Sequence, residues 1–286
     1  MKRLFAWSIA IVITLSAVIY QRISGPTNPL KNSVEIDGES YSFKLYRSME
    51  RSLPYNFELG ESDPFIESFE IKMKPSNEKI RVLLMWKRYK SDHPLTIVEG
   101  VEKGGLYSFE LPAQPPAGKI SYLVTFIKDD RSFRPNNNHP VLLRFKDRVS
   151  PLLLIVHILL MFSAMLLSTY TAAAALFKLN SAKRAAIFTV LTLFVGGLVL
   201  GPFVQKAAFG EWWSGWPLGG DLTDTKTLIA LLVWVVAIVF NRKRERGYLW
   251  VVAAVVLLLI YTIPHSAAGS EFDWDKGVVS TSTRIE

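Results

Sequence analysis

The sequence predicts a mixed α and β membrane protein with an N-terminal membrane anchor, a periplasmic immunoglobulin-like β-sandwich and a C-terminal antiparallel four-helix transmembrane bundle. Three observations lead to this fold class. The chain opens on a basic and then apolar segment, short β-branched and aromatic runs follow, and four long apolar runs occupy the C-terminal half. With 50% hydrophobic residues and a mean hydropathy of +0.23, the chain is more apolar than an ordinary soluble domain.

The four C-terminal apolar runs define the predicted bundle, residues 149–268. They cover approximately 152–177, 185–204, 228–240 and 249–263. About 20 apolar residues cross a hydrocarbon core, so the first two runs are long enough to do so alone. We expect the two shorter runs to form helices joined by the charged turn NRKRERG. Gly196, Gly197 and Gly201 would let the second of these helices approach its neighbours closely.

The first segment, residues 1–24, is predicted to be a membrane anchor. The basic tripeptide MKR precedes an apolar run over 4–20, a pattern that a cleaved secretory signal peptide also shows. The residues that follow, SAVIYQRISGPTNP, contain no convincing small-x-small cleavage site. We therefore expect the segment to remain attached.

Basic residues predict the orientation of the spans, because Lys and Arg concentrate in short cytoplasmic loops. Lys2, Arg3 and the turns KLNSAKR and NRKRERG all become cytoplasmic if the N-terminus is inside. This gives a multi-pass protein of the bacterial inner membrane with five spans and a periplasmic C-terminus. The domain 25–148 and a polar tail, 269–286, then lie outside. The basic residues of the cytoplasmic loops and the lysines of the external domain account for the formal charge of +8. The charge therefore does not require a nucleic-acid partner.

Residues 25–148 form the predicted β domain. Runs rich in Val, Ile, Phe and Tyr alternate with turn residues: SVEIDG, YSFKLYR, FIESFEIKM, IRVLLMWKRY, LYSFELP, ISYLVTF and VLLRFK. Ile120, Tyr122, Val124 and Phe126 share one strand face, as a sandwich core requires. The segment LPAQPPAGKISY makes Tyr122 a candidate tyrosine corner. The surface around Trp86–Tyr89 could bind a partner, or its residues could simply alternate between core and solvent.

Two histidines in membrane segments form the main candidate site. His157 falls about two turns into the span that enters from outside, and His265 follows Pro264 at the outer end of the last span. A histidine facing lipid is costly, so we expect His157 to face the bundle interior. Imidazoles from two helices can hold haem iron. The sequence therefore predicts a haem b or related redox-cofactor site, for electron transfer or haem handling, with Met161 on the same helix face as His157.

The external loop, residues 205–224, would add aromatic side chains at the same membrane face. Its sequence FGEWWSGWPLGGDLTD places Trp212, Trp213 and Trp216 near the predicted cofactor. This loop and its flanking histidines resemble the tryptophan-rich external loop of haem-handling proteins of cytochrome c maturation, which implies haem handling. The sequence departs from that pattern after Trp216, where Pro217 and a glycine pair stand instead of aspartate.

Zinc is an alternative ligand for the same histidines. His157 and His265 with a carboxylate from Glu211, Asp221 or Asp224 could hold zinc and leave a position open for water. No HExxH or comparable spacing supports hydrolysis.

Copper, or no cofactor at all, is also open. His157, Met161 and Met165 share a helix face and could bind copper, although methionines at helical spacing are more often packing residues. Tryptophans are ordinary anchors at the membrane interface, and Thr223 or Asp224 could cap the next helix. The absence of cysteine excludes disulfides, thiolate metal sites and covalent c-type haem.

The segments RISGPTNP, LLRFKDRVSPLLLIVHILLMFSAM, GPFVQKAAFGEWWSGWPLGGDLTDTK and IPHSAAGSEFD resemble a group of uncharacterised bacterial integral membrane proteins, and the similarity extends over most of the chain. The resemblance implies one external β domain and supplies no catalytic residues. Two other functions stay open: a non-enzymatic accessory subunit that binds a periplasmic or membrane partner through the sandwich, and a metal-dependent membrane enzyme. Transport is disfavoured because the four C-terminal runs contain no charged residues.

Overall fold

The computed structural model describes residues 1–25, 27–52, 55, 66–73, 79–135, 138–263 and 269–280. The chain divides into two compact units. The helical unit comprises Met1–Pro26 and Val149–Ser270, and the β unit comprises Thr27–Arg148 and Glu271–Ser280. The prediction of a protein with separate helical and sheet regions is confirmed.

Helices of the helical unit follow the apolar runs of the sequence. They are α1 (Lys2–Ser24), α2 (Pro151–Leu176), α3 (Ala182–Leu193), a π-helix (Phe194–Leu200), α4 (Gly201–Phe209), α5 (Leu222–Phe240) and α6 (Gly247–Thr262). Since α3, the π-helix and α4 are continuous, four helical stretches among the described residues are long and apolar enough to cross a membrane. This finding supports the prediction of a membrane protein. Helix α6 has 16 residues, which span about 24 Å.

The N-terminal helix α1 is part of the core of the helical unit. Trp7 stacks on Tyr170 of α2 with ring centroids 4.0 Å apart. The side chains of Ala6 and Ala10 are fully buried, and the Gln21 amide donates a hydrogen bond to the Tyr261 carbonyl at 2.6 Å. Small residues at such contacts let helix backbones approach closely. The predicted anchor therefore also stabilises the other helices.

Two of the three glycines predicted to allow close helix approach do so. A Cβ atom on Gly196 would lie 2.8 Å from Cβ of Leu160, and one on Gly197 would lie 2.5 Å from Cγ2 of Thr227. Both distances are shorter than a van der Waals contact. At Gly201 the nearest atoms would be 3.8 and 3.9 Å away, so that position is not closely packed.

Seven strands of the β unit match the predicted runs, and six short strands were not predicted. They are β1 (Leu30–Ile36), β2 (Glu39–Leu45), β3 (Ser48–Glu50), β4 (Ile66–Lys72), β5 (Arg81–Arg88), β6 (Thr96–Glu99), β7 (Val101–Lys103), β8 (Leu106–Pro112), β9 (Lys119–Lys128), β10 (Arg131–Phe133), β11 (Val141–Lys146), β12 (Glu271–Asp273) and β13 (Val278–Ser280). Each run quoted from the sequence contains or overlaps one of these strands, and the six that were not predicted are β3, β6, β7, β10, β12 and β13.

The strands among the described residues form four sheets. The largest follows the order β3-β11-β9-β5-β6, with β10 also paired to β9, and the others are β4-β8-β7, β1-β2 and β12-β13. Strands β3 and β11 pair in parallel, whereas the neighbouring pairs of this sheet are antiparallel. Immunoglobulin sandwiches consist of antiparallel sheets. The parallel pair β3–β11 therefore does not support the prediction of an immunoglobulin-like domain.

The core of the β unit follows the predicted strand alternation. Ile120, Tyr122, Val124 and Phe126 are all buried on one face of β9. However, the Tyr122 hydroxyl donates to the carbonyl of Tyr46, 2.7 Å away and 76 positions earlier in the chain. A tyrosine corner bonds to backbone only a few residues upstream, so the corner prediction was wrong. Burial raises the pKa of the Tyr122 phenol, consistent with a structural donor.

Residues 269–286, predicted to be a polar tail, include the hairpin β12–β13. The amide of Phe272 donates to the Ala117 carbonyl at 3.2 Å, and Lys119 Nζ lies 2.8 Å from a Glu271 carboxylate oxygen. Burial lowers the pKa of Lys119, and the hydrogen bond to Glu271 opposes that shift. The predicted domain 25–148 is therefore completed by a hairpin from the C-terminal end of the chain.

Candidate functional site

His157, the main predicted ligand, lies in the second turn of α2 and bonds to a backbone carbonyl. Its Nδ1 atom is 2.8 Å from the carbonyl oxygen of Gly196. Because a carbonyl only accepts hydrogen bonds, Nδ1 carries a proton, and in the neutral ring Nε2 carries the lone pair. Histidines that bind metals commonly donate their other N–H to a backbone carbonyl in this way.

The Gly196 carbonyl that receives His157 lies in the π-helix, just before Gly201 and Pro202. Pro202 lacks an N–H and its ring displaces the carbonyl four residues before it, which interrupts an α-helix. The chain widens here, and the Gly201 amide bonds to the Gly196 carbonyl. Such π-helical segments often lie at functional positions. The sequence marked the glycines only as close-approach residues, so this interaction was missed.

The predicted second axial ligand, His265, lies outside the described residues. The bis-histidine prediction is therefore not tested by the structure. Met161 and Met165 are both buried, and the Met161 carbonyl accepts a hydrogen bond from the Tyr261 hydroxyl at 2.9 Å. A cavity lined by Met161, Lys226 and Tyr261 has a volume of about 10 Å³. That volume holds one water molecule, so a haem does not fit there.

The three loop tryptophans make separate contacts. Trp212 is half-exposed and packs edge-to-face on Phe203, with ring centroids 5.0 Å apart. Trp213 Nε1 donates to the Gly215 carbonyl at 2.9 Å, within the loop, and Trp216 is exposed. These contacts suit loop closure and interface anchoring better than a wall around a macrocycle.

Ser214 connects two of the predicted metal-ligating carboxylates. Its amide donates to Asp224 Oδ2 at 2.8 Å, while its hydroxyl lies 3.2 Å from Asp221 Oδ2 and 3.3 Å from Asp224 Oδ2. The Ser270 amide donates to the same Asp221 oxygen at 3.0 Å. All four residues are buried. The Gln205 amide donates to the Ser214 hydroxyl. We call these five residues the serine–aspartate cluster.

Asp221 also begins helix α5, because its Oδ1 accepts a hydrogen bond from the Thr223 amide at 2.7 Å. This N-cap satisfies one of the free amides at the helix start. The predicted cap was Thr223 or Asp224, so the cap lies earlier than expected. As a consequence α5 starts at Leu222, two or three residues before the start that the predicted caps imply.

The early start of α5 places charged residues inside a helix that is long enough to cross a membrane. Asp224 and Lys226 are both buried in α5, and Lys226 Nζ donates to the Ile263 carbonyl at 2.7 Å. The premise that the C-terminal helices carry no charged residues was therefore wrong. Intramembrane ionisable residues often mark functional sites. Here the Asp224 carboxylate is bonded to Ser214, and the Lys226 ammonium is bonded to the Ile263 carbonyl.

The predicted metal set is not assembled among the residues that the structure describes. Within those residues no group of three His, Cys, Asp or Glu side chains could hold a metal ion. Asp221 and Asp224 meet at Ser214, His157 bonds to Gly196, and Glu211 is exposed. A zinc site needs at least three protein ligands around one point.

The β unit contains a cleft that the sequence indicated only in part. It has a volume of about 510 Å³ and is lined by Tyr55, Arg88, His93, Phe272 and Trp274 together with neighbouring polar residues. Arg88 was part of the predicted partner-binding surface. The other wall comes from the C-terminal hairpin, which sequence pattern did not connect with β5.

Contacts among these side chains give the cleft a defined shape. The Arg88 guanidinium lies 4.2 Å from the centroid of the Trp274 ring, a cation–π geometry. Phe272 packs edge-to-face against Trp274, with ring centroids 4.9 Å apart. His93 stacks on the buried Trp86 at 5.3 Å and so is partly buried, although a solvated histidine is the usual expectation for a turn. We call this feature the Arg88–Trp274 cleft.

Comparisons with protein-family models, with curated proteins and with solved structures find no match. The resemblances to bacterial membrane proteins and to haem-handling proteins therefore stay predictions from the sequence.

Proposed function

We propose that this chain is a non-enzymatic accessory protein of the bacterial inner membrane, in which the helical unit anchors the molecule and the β unit binds a protein partner on the periplasmic side. The apolar helices support a membrane location, and the distribution of Lys and Arg supports the orientation. The observation that carries the proposal is the Arg88–Trp274 cleft.

The residue types in this cleft suit protein recognition. Tyr, Trp and Arg dominate the binding energy of many protein interfaces, and such residues cluster in well-packed pockets. Tyr55, Arg88 and Trp274 line one cleft here. Since Arg88 already stacks on Trp274, a partner would restrict few side-chain rotations on binding, which favours affinity.

The contacts in the helical unit support the anchoring role. The polar atoms of the serine–aspartate cluster bond to one another and to the start of α5. Trp212 and Trp216 are exposed aromatic residues beside an apolar helix, the arrangement that places tryptophan at a membrane interface. Neither feature needs a substrate or a cofactor.

Photo-crosslinking in native membranes tests this proposal. A photoreactive amino acid would replace Asp92, which is exposed and lines the cleft. In a matched control it would replace Lys103, which is exposed on β7. We expect a discrete cross-linked product from position 92 that disappears when Trp274→Ala is added. The same product from position 103, or none from position 92, would refute partner binding at the cleft.

A second candidate function is a haem b or other redox-cofactor site at His157. The observation that favours it is the Nδ1–H bond to Gly196, which directs the Nε2 lone pair away from the backbone as in metal-bound histidines. The second predicted ligand, His265, lies outside the described residues, so the described contacts hold only one of the two axial ligands. We therefore rank this function second.

An absorbance spectrum of the purified protein, oxidised and reduced, separates the two candidates. The accessory-protein proposal predicts no Soret band after expression with added haem. A Soret band that is lost in both His157→Ala and His265→Ala would establish the cofactor site in its place.

A further inference from the structure

A basic pocket lies on the β unit, and none of its lining residues belongs to the Arg88–Trp274 cleft. It has a volume of about 570 Å³, and its lining includes Lys31 and Ser33 from β1, Ser42 and Lys44 from β2, and Lys72 from β4. All five of these side chains are exposed. The volume lies within the range of small-molecule binding sites.

The strand register brings two of these positive charges directly opposite each other. In the antiparallel pair β1–β2, Lys31 is the register partner of Lys44. Like charges at directly opposite positions destabilise a sheet. Within the described residues, none of Lys31, Lys44 and Lys72 forms an ion pair, whereas Lys119 and Lys128 of the same unit do. The pocket therefore concentrates positive charge that the described protein does not neutralise.

Hydroxyl donors stand next to the opposed lysines. Ser33 and Ser42 are also register partners, one step further along the same outward face of the hairpin. Ammonium and hydroxyl groups together match the oxygen acceptors of phosphate, for which lysine acts as a point charge. We propose that the Lys31–Lys44–Lys72 pocket binds a phosphate-bearing ligand.

An anion would explain why the opposed lysines are tolerated. A bound phosphate group would turn the repulsion between Lys31 and Lys44 into attraction on both sides. Groups that serve binding often lower the stability of the unbound protein. The same pair of lysines should therefore lower the stability of the folded protein without ligand and raise it when the ligand is bound. A purely structural role does not produce this combination.

Binding to the full chain in a neutral maltoside detergent tests the proposal. Two probes distinguish the possible sources of the phosphate: inorganic pyrophosphate represents a free phosphorylated compound, and dioctanoyl phosphatidylglycerol represents a lipid headgroup. We expect saturable binding of one or both probes by the wild type. In the double variant Lys31→Gln with Lys44→Gln, we expect the affinity to fall at least about tenfold.

Two controls separate loss of binding from loss of folding. Lys103→Gln, on the exposed strand β7, should bind as the wild type does. Without ligand, the double variant should unfold at the same temperature as the wild type or higher, because the opposed charges are gone. The proposal would be overturned if the wild type bound neither probe saturably. It would also be overturned if the double variant bound with the same affinity as the wild type.

Discussion

Ser214 links the loop to helix α5 through two buried carboxylates. Its amide and hydroxyl reach Asp224 and Asp221 within 2.8–3.3 Å. Buried carboxylates that lose donors carry a large desolvation penalty, so this one small residue has a large structural role. Both aspartates were predicted to be metal ligands, and Ser214 was not predicted to have a role, since a single serine between tryptophan and glycine has no distinctive pattern.

Replacing Ser214 with alanine should destabilise the helical unit. The change removes the hydroxyl from Asp221 and Asp224, and we expect a cost of about 1–3 kcal/mol, measured as a lower unfolding temperature in detergent. Ser24→Ala is the control, because the Ser24 hydroxyl bonds to the Tyr20 carbonyl at an exposed site, where the effect should stay within about 0.5 kcal/mol. Equal stability of the two variants would show that the cluster is not a structural support.

Asp37 should make the stability of the β unit depend on pH. Lys128 and Arg131 lie 2.5 and 2.7 Å from its carboxylate oxygens, and these contacts hold the pKa of Asp37 below its ordinary value. A lowered folded-state pKa stabilises the protein above the ordinary aspartate value of about 3.9, and this contribution is lost as the pH falls towards the folded-state pKa.

The corresponding variant is Asp37→Asn in the full chain. We expect its unfolding temperature to be lower than that of the wild type at neutral pH, and the difference to shrink in acid as the wild-type carboxylate becomes protonated. A difference that stays constant from neutral pH into acid would mean that the charge of Asp37 is not responsible.

Among the secondary-structure elements, the π-helix is closely packed against its neighbours at its two glycines. Gly197→Ala would place a Cβ atom 2.5 Å from Thr227 Cγ2 on α5. Overpacking of this kind typically costs about 1–3 kcal/mol. Gly201→Ala is a matched control in the same helical stretch, because its nearest atoms would be 3.8 Å away. Thermal unfolding in detergent should therefore show a clear loss for Gly197→Ala and little change for Gly201→Ala.

Local sequence patterns predicted most of the elements but not all of their ends. Apolar length predicted the membrane helices, and residue alternation predicted the buried face of β9. The start of α5 was placed two or three residues too late, because Thr223 or Asp224 was predicted to be the cap and the cap is Asp221. The hairpin β12–β13 was missed because its contact with Lys119 spans 152 positions, and local periodicity contains no information about such pairing.

The candidate site was predicted less well than the fold, for a physical reason. Sequence periodicity can place His157 on an inward face, but its partner depends on how a π-helix presents the Gly196 carbonyl. In the same way, Arg88 was predicted to belong to a partner-binding surface. Its stacking partner Trp274 was not predicted, because it lies 186 positions later in the chain. Both pairings depend on tertiary packing, which hydropathy does not encode.

In the complete protein, we propose that the helical unit anchors the molecule and that the β unit recognises the partner. The most direct measurement is native mass spectrometry of the full chain, extracted gently from its own membranes, for the wild type, Trp274→Ala and His157→Ala. We predict that the wild type and His157→Ala retain the same bound partner and that Trp274→Ala loses it. A partner retained by Trp274→Ala, or a bound haem that is lost only in His157→Ala, would contradict this account.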